Sequence, residues 1–183
     1  MKYTILTNET KVHNGVTLYR IQSLKDFSNV KSGDKGGWIE KESNLSQYGN
    51  AWIYGDAKVC GDAIVYGDAR VYEKAMVFGD ARVYEKAMVF GEARVYEKAW
   101  VSGEARVSGD AKVCGDAIVY DDAEVYGKAM VYGDAMVYGD AMVFGDARVS
   151  GEARVYGEAR VYGDARVAES ECKKNGTMTI KTR

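Results

Sequence analysis

The chain has 183 residues, about one domain's worth, with 25 basic and 27 acidic side chains, three cysteines, 21 glycines and no proline. The near balance of charge gives no global reason to expect nucleic acid or an anionic membrane as partner. No apolar run is long enough to span a bilayer, and Met1–Leu6 lacks the apolar core of a signal peptide, so a cytoplasmic location is expected. The odd cysteine count and the spacing of Cys60, Cys114 and Cys172 fit neither a disulfide framework nor a zinc site.

Tyr3–Leu6 and Val16–Ile21 alternate or run apolar, with Asn14-Gly15 between them. That pattern predicts a β-hairpin, and residues 1–37 are read as an N-terminal hairpin cap. His13, the single histidine, falls at the hairpin tip, where an exposed turn position is expected. Gly33-Asp34-Lys35-Gly36-Gly37 is glycine-rich but matches no phosphate loop, so a turn is expected there.

From residue 38 a different order begins. Ile39 with Ser43, and Leu45 with Gly49, form two aliphatic-small hexads that run two residues out of phase with Ile53. Residues 38–50 are therefore read as an irregular first coil, with the phase shift assigned to Ala51-Trp52. From Ala51 to Ala165 an alanine stands at every sixth position, twenty in all, and two residues after each comes valine (isoleucine at Ile53). The unit is Ala-x-Val-aromatic-Gly-Asp. Ala and Val share one face of a short strand, while x and the aromatic share the other. Gly-Asp turns the corner, because glycine accepts positive φ and aspartate bonds back to its own backbone. One such strand cannot bury its apolar face alone, so successive coils must stack. A block of twelve residues beginning at Gly55 recurs at Gly109, three coils on. At the far end, Thr177–Ile180 follows Asn175-Gly176, and residues 169–183 are read as a C-terminal cap strand.

Read from valine, the unit is an aliphatic residue followed four positions later by a small one, which resembles the hexapeptide repeat of left-handed β-helix proteins. The stretch Gly36-Gly37-Trp38-Ile39-Glu40 followed by Asn44-Leu45-Ser46 resembles YdcK-type proteins, a bacterial and prophage group filed as transferase-like. The resemblance implies a single-stranded left-handed parallel β-helix over residues 38–168. It would have about seven triangular coils of three hexapeptides, with small β caps at both ends, all-β in class. It also implies trimers, which are common among such proteins.

With eighteen residues per coil, outward side chains stack along three faces. Fourteen of the twenty outward aromatic slots hold Tyr or Phe, and the x slot holds eight Arg and five Met. So apolar an exterior suggests ladders that stabilise one another, a surface that buries against partner chains, or both. The candidate interface or ligand surface comprises Tyr54, Arg70, Tyr72, Tyr84, Phe90, Arg94, Tyr96, Trp100, Arg106, Tyr120, Tyr126, Tyr138, Phe144, Arg160 and Tyr162. The corners carry stacked carboxylates broken by Lys74, Lys86, Lys98 and Lys128, which reads as turn chemistry with charge balance.

Catalytic chemistry finds little purchase. The acyltransferases that this repeat resembles use a histidine base and often a projecting loop. The repeat here has no histidine, and nothing interrupts it between Ala51 and Ala165. No catalytic residue, metal ligand or cofactor is singled out. The leading expectation is a non-catalytic structural or interaction protein, a rigid homo-oligomeric rod with a trimer favoured, of prophage or phage type. Two alternatives stay open: an acyltransferase-like enzyme, or a protein that holds a small ligand such as a nucleotide or sugar in Arg/Tyr grooves between subunits.

Overall fold

The computed structural model describes residues 1–168 and, as backbone, the strand Glu171–Lys173. The cap strand expected at Thr177–Ile180 lies outside the described residues. The protein is an all-β parallel solenoid of about seven three-sided coils, with one short 3-10 turn at Glu42–Asn44.

Each hexapeptide makes one short strand, and strands eighteen residues apart pair in parallel, as in Met88↔Arg106 and Val89↔Val107. Three sheets result. Sheet I has ten strands: β1 (Tyr3–His13), β2 (Val16–Ser23), β3 (Lys35–Ile39), and then the rungs from Lys58–Val59 to Arg166–Ala168. Sheet II has seven rungs, from Trp52–Ile53 to Arg160–Val161, and sheet III has seven, from Ile64–Val65 to Glu171–Lys173. The backbone is satisfied from coil to coil: Met88 N–H donates to Ala105 O at 2.9 Å and Phe90 N–H to Val107 O at 3.0 Å.

The inward assignment holds throughout. Every repeat alanine and valine from Ala51 to Val167 is buried. Small alanine beside branched valine suits a bore too narrow for larger side chains, and each buried valine contributes on the order of 1.5–2 kcal/mol before chain entropy offsets it. At the corners the glycine slot has positive φ, and Glu73, Glu85, Glu97 and Asp121 take the same conformation at φ 58–61°. Glu85 and Glu97 recover some of that strain, because their carboxylates accept from Gly103 N–H and Gly115 N–H, one coil on, at 2.5 and 2.6 Å.

The first coil is longer than the rest. Trp38 pairs with Lys58 and Leu45 with Val65, twenty residues on, whereas Trp52 pairs with Arg70, eighteen on. The two extra residues are not Ala51-Trp52, which already sit in register. They lie between Ser46, whose N–H reaches Val65 O, and Asn50, whose N–H reaches Gly67 O. Alternation alone could not locate them, because Ala51 and Trp52 fit the small and x slots as well as the core does. The extra loop has a task. The Gln47 side chain accepts from Lys2 N–H at 2.7 Å and donates to Tyr3 O at 3.2 Å, fastening the N-terminus.

The hairpin adds to sheet I as two antiparallel strands, β2 pairing with β3. Its start closes the bore. Tyr3 is fully buried and its hydroxyl donates to Leu45 O at 2.7 Å and Glu42 O at 2.9 Å. Trp52, 1% exposed, meets Tyr3 and Phe27 edge-on. His13 differs from expectation: it is half-buried, because the hairpin tip lies back toward sheet I instead of standing free. Burial, and then the charges of Lys58, Lys11 and Arg94, holds its imidazole below the usual range.

Candidate functional site

The outward slots form a surface that repeats along the whole rod, beside the charged corners. Alternation sets x and aromatic side by side on each outer face, and the coil pitch of about 4.8 Å sets each ring over the next. The rings respond by stacking. Tyr72–Phe90, Phe78–Tyr96, Tyr126–Phe144 and Tyr120–Tyr138 lie parallel within 10°, with centroids 4.8–5.0 Å apart. Parallel, offset rings at this separation attract by about 0.5–1.5 kcal/mol per pair beyond burial. The ladder tyrosines and phenylalanines are accordingly half-buried, none of them exposed. The exterior is less bare than its composition suggested.

The fifteen candidate residues do not converge on one site. Sheet II carries Tyr54, Arg70, Tyr72, Phe90, Arg106, Tyr126, Phe144, Arg160 and Tyr162. Sheet III carries Tyr84, Trp100, Tyr120 and Tyr138, and sheet I carries Arg94 and Tyr96. The three faces also differ in what covers them. On sheet I, Lys11 and Arg20 of the hairpin lie over the Trp38 ring at 5.5 and 4.9 Å. On sheet II, the segment after β2 folds against the first rungs: Tyr54 hydroxyl donates to Asn29 Oδ1 at 2.8 Å, and Arg70 donates to Ser28 Oγ at 3.3 Å. That contact turns Tyr54 edge-on to Tyr72, 89° from parallel, and leaves a groove of about 480 Å³ bordered by Asn29, Tyr54, Arg70, Tyr72 and Met88. The sequence held no signal for this groove, because residues 27–30 carry no repeat and their docking depends on Trp52.

These contacts reach only the first rungs, and sheet III differs from the other faces in its x column. Its x column reads Ile64, Arg82, Trp100, Ile118, Met136 and Arg154. Trp100, 37% exposed, is a large apolar side chain on the repeat that remains open to solvent, with the Arg82 guanidinium 5.2 Å from its ring. A shallow cavity of about 420 Å³ surrounds it, bordered by Asp80, Arg82, Lys98, Asp116 and Ile118.

Titration adds detail rather than a reaction centre. Tyr96 hydroxyl, hydrogen-bonded to Cys114 and partly buried, is pushed up to about 12. Burial pushes both the Cys60 and Cys114 thiols up, away from the thiolate form that makes cysteine nucleophilic. Both are free thiols, as their separation of three coils requires. Corner lysines bridge to the acid one coil on, Lys74 to Glu92 at 3.1 Å and Lys86 to Glu104 at 2.7 Å. These are exposed pairs that relieve the carboxylate stack and contribute little net stability. Among the described residues no group of three or more His, Cys, Asp or Glu side chains could hold a metal ion, and no helix is long and apolar enough to cross a membrane.

Laddered outer faces with shallow cavities between their side chains define a β-solenoid repeat protein. The comparisons refine this. The YdcK β-solenoid repeat matches residues 57–73 and 135–151. The Escherichia coli (strain K12) protein called uncharacterized acetyltransferase YdcK is 44% identical over 46 residues, which span 25% of this chain and only 14% of that protein's length. Over those two stretches the chain carries YdcK-type β-solenoid repeats.

Proposed function

We propose that this chain is a non-catalytic interaction protein, a rigid rod that associates with copies of itself through the outer face of sheet III. The observation that carries the reading is the outer column of sheet III, where exposed Trp100 stands in line with half-buried Ile64, Ile118 and Met136, the most apolar x column of the three faces. Apolar columns of this kind seldom stay exposed in monomers, and a tryptophan flanked by arginine is a composition typical of interface anchors. Three copies around an axis, in the cytoplasm, complete the proposal, and a prophage setting fits the resemblance in the first coil.

Light scattering on the purified chain measures the assembly directly. Expected is a mass of three chains that falls to one chain in Trp100→Glu, with strand content unchanged. A wild-type monomer overturns the reading. So does turnover of acetyl-CoA by the purified protein, which would shift the function toward the activity in the relative's name.

A further inference from the structure

The aromatic ladders share one interruption. Three consecutive aromatic slots hold small residues, Ser102 on sheet III, Ser108 on sheet II and Cys114 on sheet I, so one coil interrupts the ladder on each face. On two faces the protein fills its own gap. Ser102 is 6% exposed beside Trp100, which meets Tyr84 edge-on, and Cys114 is 8% exposed under the Tyr96 hydroxyl. On sheet II, Ser108 stays partly open to solvent.

The walls of that gap are Phe90 and Tyr126. Each is stacked on its far side, Phe90 on Tyr72 at 5.0 Å and 1°, Tyr126 on Phe144 at 4.9 Å and 1°. Each therefore turns a ring face toward the coil of Ser108. They stand two coils apart, so their separation is about two strand spacings, roughly 10 Å. A single flat ring midway would lie about 5 Å from both, within the range over which aromatic rings attract. Beside the gap, at the x positions of the same face, Arg106 and Glu124 pair at 3.5 Å and remain partly exposed. One donates and the other accepts, next to the plane that an inserted ring would occupy, and Ser108 forms the floor.

We propose that the gap over Ser108 binds a planar nitrogen heteroaromatic of the adenine type. Its ring completes the Phe90–Tyr126 ladder. An amino group donates to Glu124, and the neighbouring ring nitrogen accepts from Arg106.

Adenosine titrated into the full chain, followed by its H2 and H8 proton resonances, tests this. Stacking between two rings moves both resonances upfield. Ser108→Tyr fills the gap with the residue that the repeat prefers, so the variant melts no lower than wild type and binds adenosine at least tenfold more weakly. Phe90→Leu removes one wall and gives a similar loss. Glu124→Gln weakens binding severalfold, while Ser150→Tyr on sheet I leaves it unchanged. Upfield shifts that persist in Ser108→Tyr, or no shift with wild type up to millimolar adenosine, overturn the site. Neither result bears on self-association through sheet III.

Discussion

The first fifty residues and the coils that follow reach stability by opposite means. In the coils, each hexapeptide contributes a similar small amount, from one valine, one alanine and two or three coil-to-coil hydrogen bonds, as when Lys74, Met76 and Phe78 N–H donate to Gly91, Ala93 and Val95 O. In the N-terminal region, single side chains each hold several groups. Buried Asn44 donates to Ala63 O and Gly61 O, both at 2.9 Å, and accepts from Lys41 N–H at 2.9 Å and Glu40 N–H at 3.2 Å. Gly36 and Gly37 let β3 pass against Ile53: a Cβ on Gly36 would sit 2.6 Å from both Ile21 and Trp52, and one on Gly37 would strike the Ile53 side chain. The difference teaches that a solenoid can vary freely along its length while its end cannot, because the end must close a bore that the repeat leaves open.

The comparison breaks most sharply at those single positions. Asn44→Ala strands Gly61 O, Ala63 O and Lys41 N–H, while Glu40 N–H keeps Val59 O, and Gly37→Ala forces β3 off Ile53. Each is expected to cost about 3 kcal/mol in denaturant unfolding. A loss under 1 kcal/mol in both would mean that the end is as interchangeable as the middle. The reverse test excises residues 55–108, joining Tyr54 to Gly109 in the same phase. The shortened chain is expected to keep its strand signal per residue and to melt cooperatively. An unfolded product would show that particular coils matter.

A smaller effect separates the two regions by pH. Burial, with the nearby charge of Lys25, lowers Lys2 from the ordinary 10.5 to about 8, while its ammonium donates to Ala51 O at 2.8 Å. Between these values the unfolded chain holds more protons than the folded one, so stability rises as pH rises from about 8 toward 10. Above 10 the sign reverses, since burial raises Tyr3 above its ordinary 10.0 and the unfolded chain loses that proton first. Melting temperature followed from pH 7 to 11 is expected to rise above 8, the raised Cys60 and Cys114 thiols opposing that rise beyond the ordinary 9.0, and Lys2→Met is expected to remove the rise. The smallest effect belongs to the repeat: Lys86→Ala breaks one exposed bridge to Glu104 and is expected to leave the melting temperature nearly unchanged.

Most of the fold was legible in the chain because its signal is local. Six-residue spacing, alternation at Ala-x-Val-aromatic and glycine at each corner fix which side chains point inward, and burial from Ala51 to Val167 follows that rule. Asn14-Gly15 marks the hairpin turn, with φ of 48° and 81°. The surface was legible only as columns. Which rings lie flat, which turn edge-on and which leave a gap depends on neighbours eighteen residues away and on segments without a repeat, as Tyr54 shows by turning toward Asn29.

The sequence alone therefore determined the period, the inward face and the hairpin, because each rests on the steric and hydrophobic preferences of adjacent residues. Only the tertiary structure decided where the first coil gains its two residues, why His13 is half-buried, and which face keeps Trp100 in contact with solvent. Those outcomes depend on how the non-repeating N-terminal segment packs against a surface that the repeat makes nearly identical on three sides.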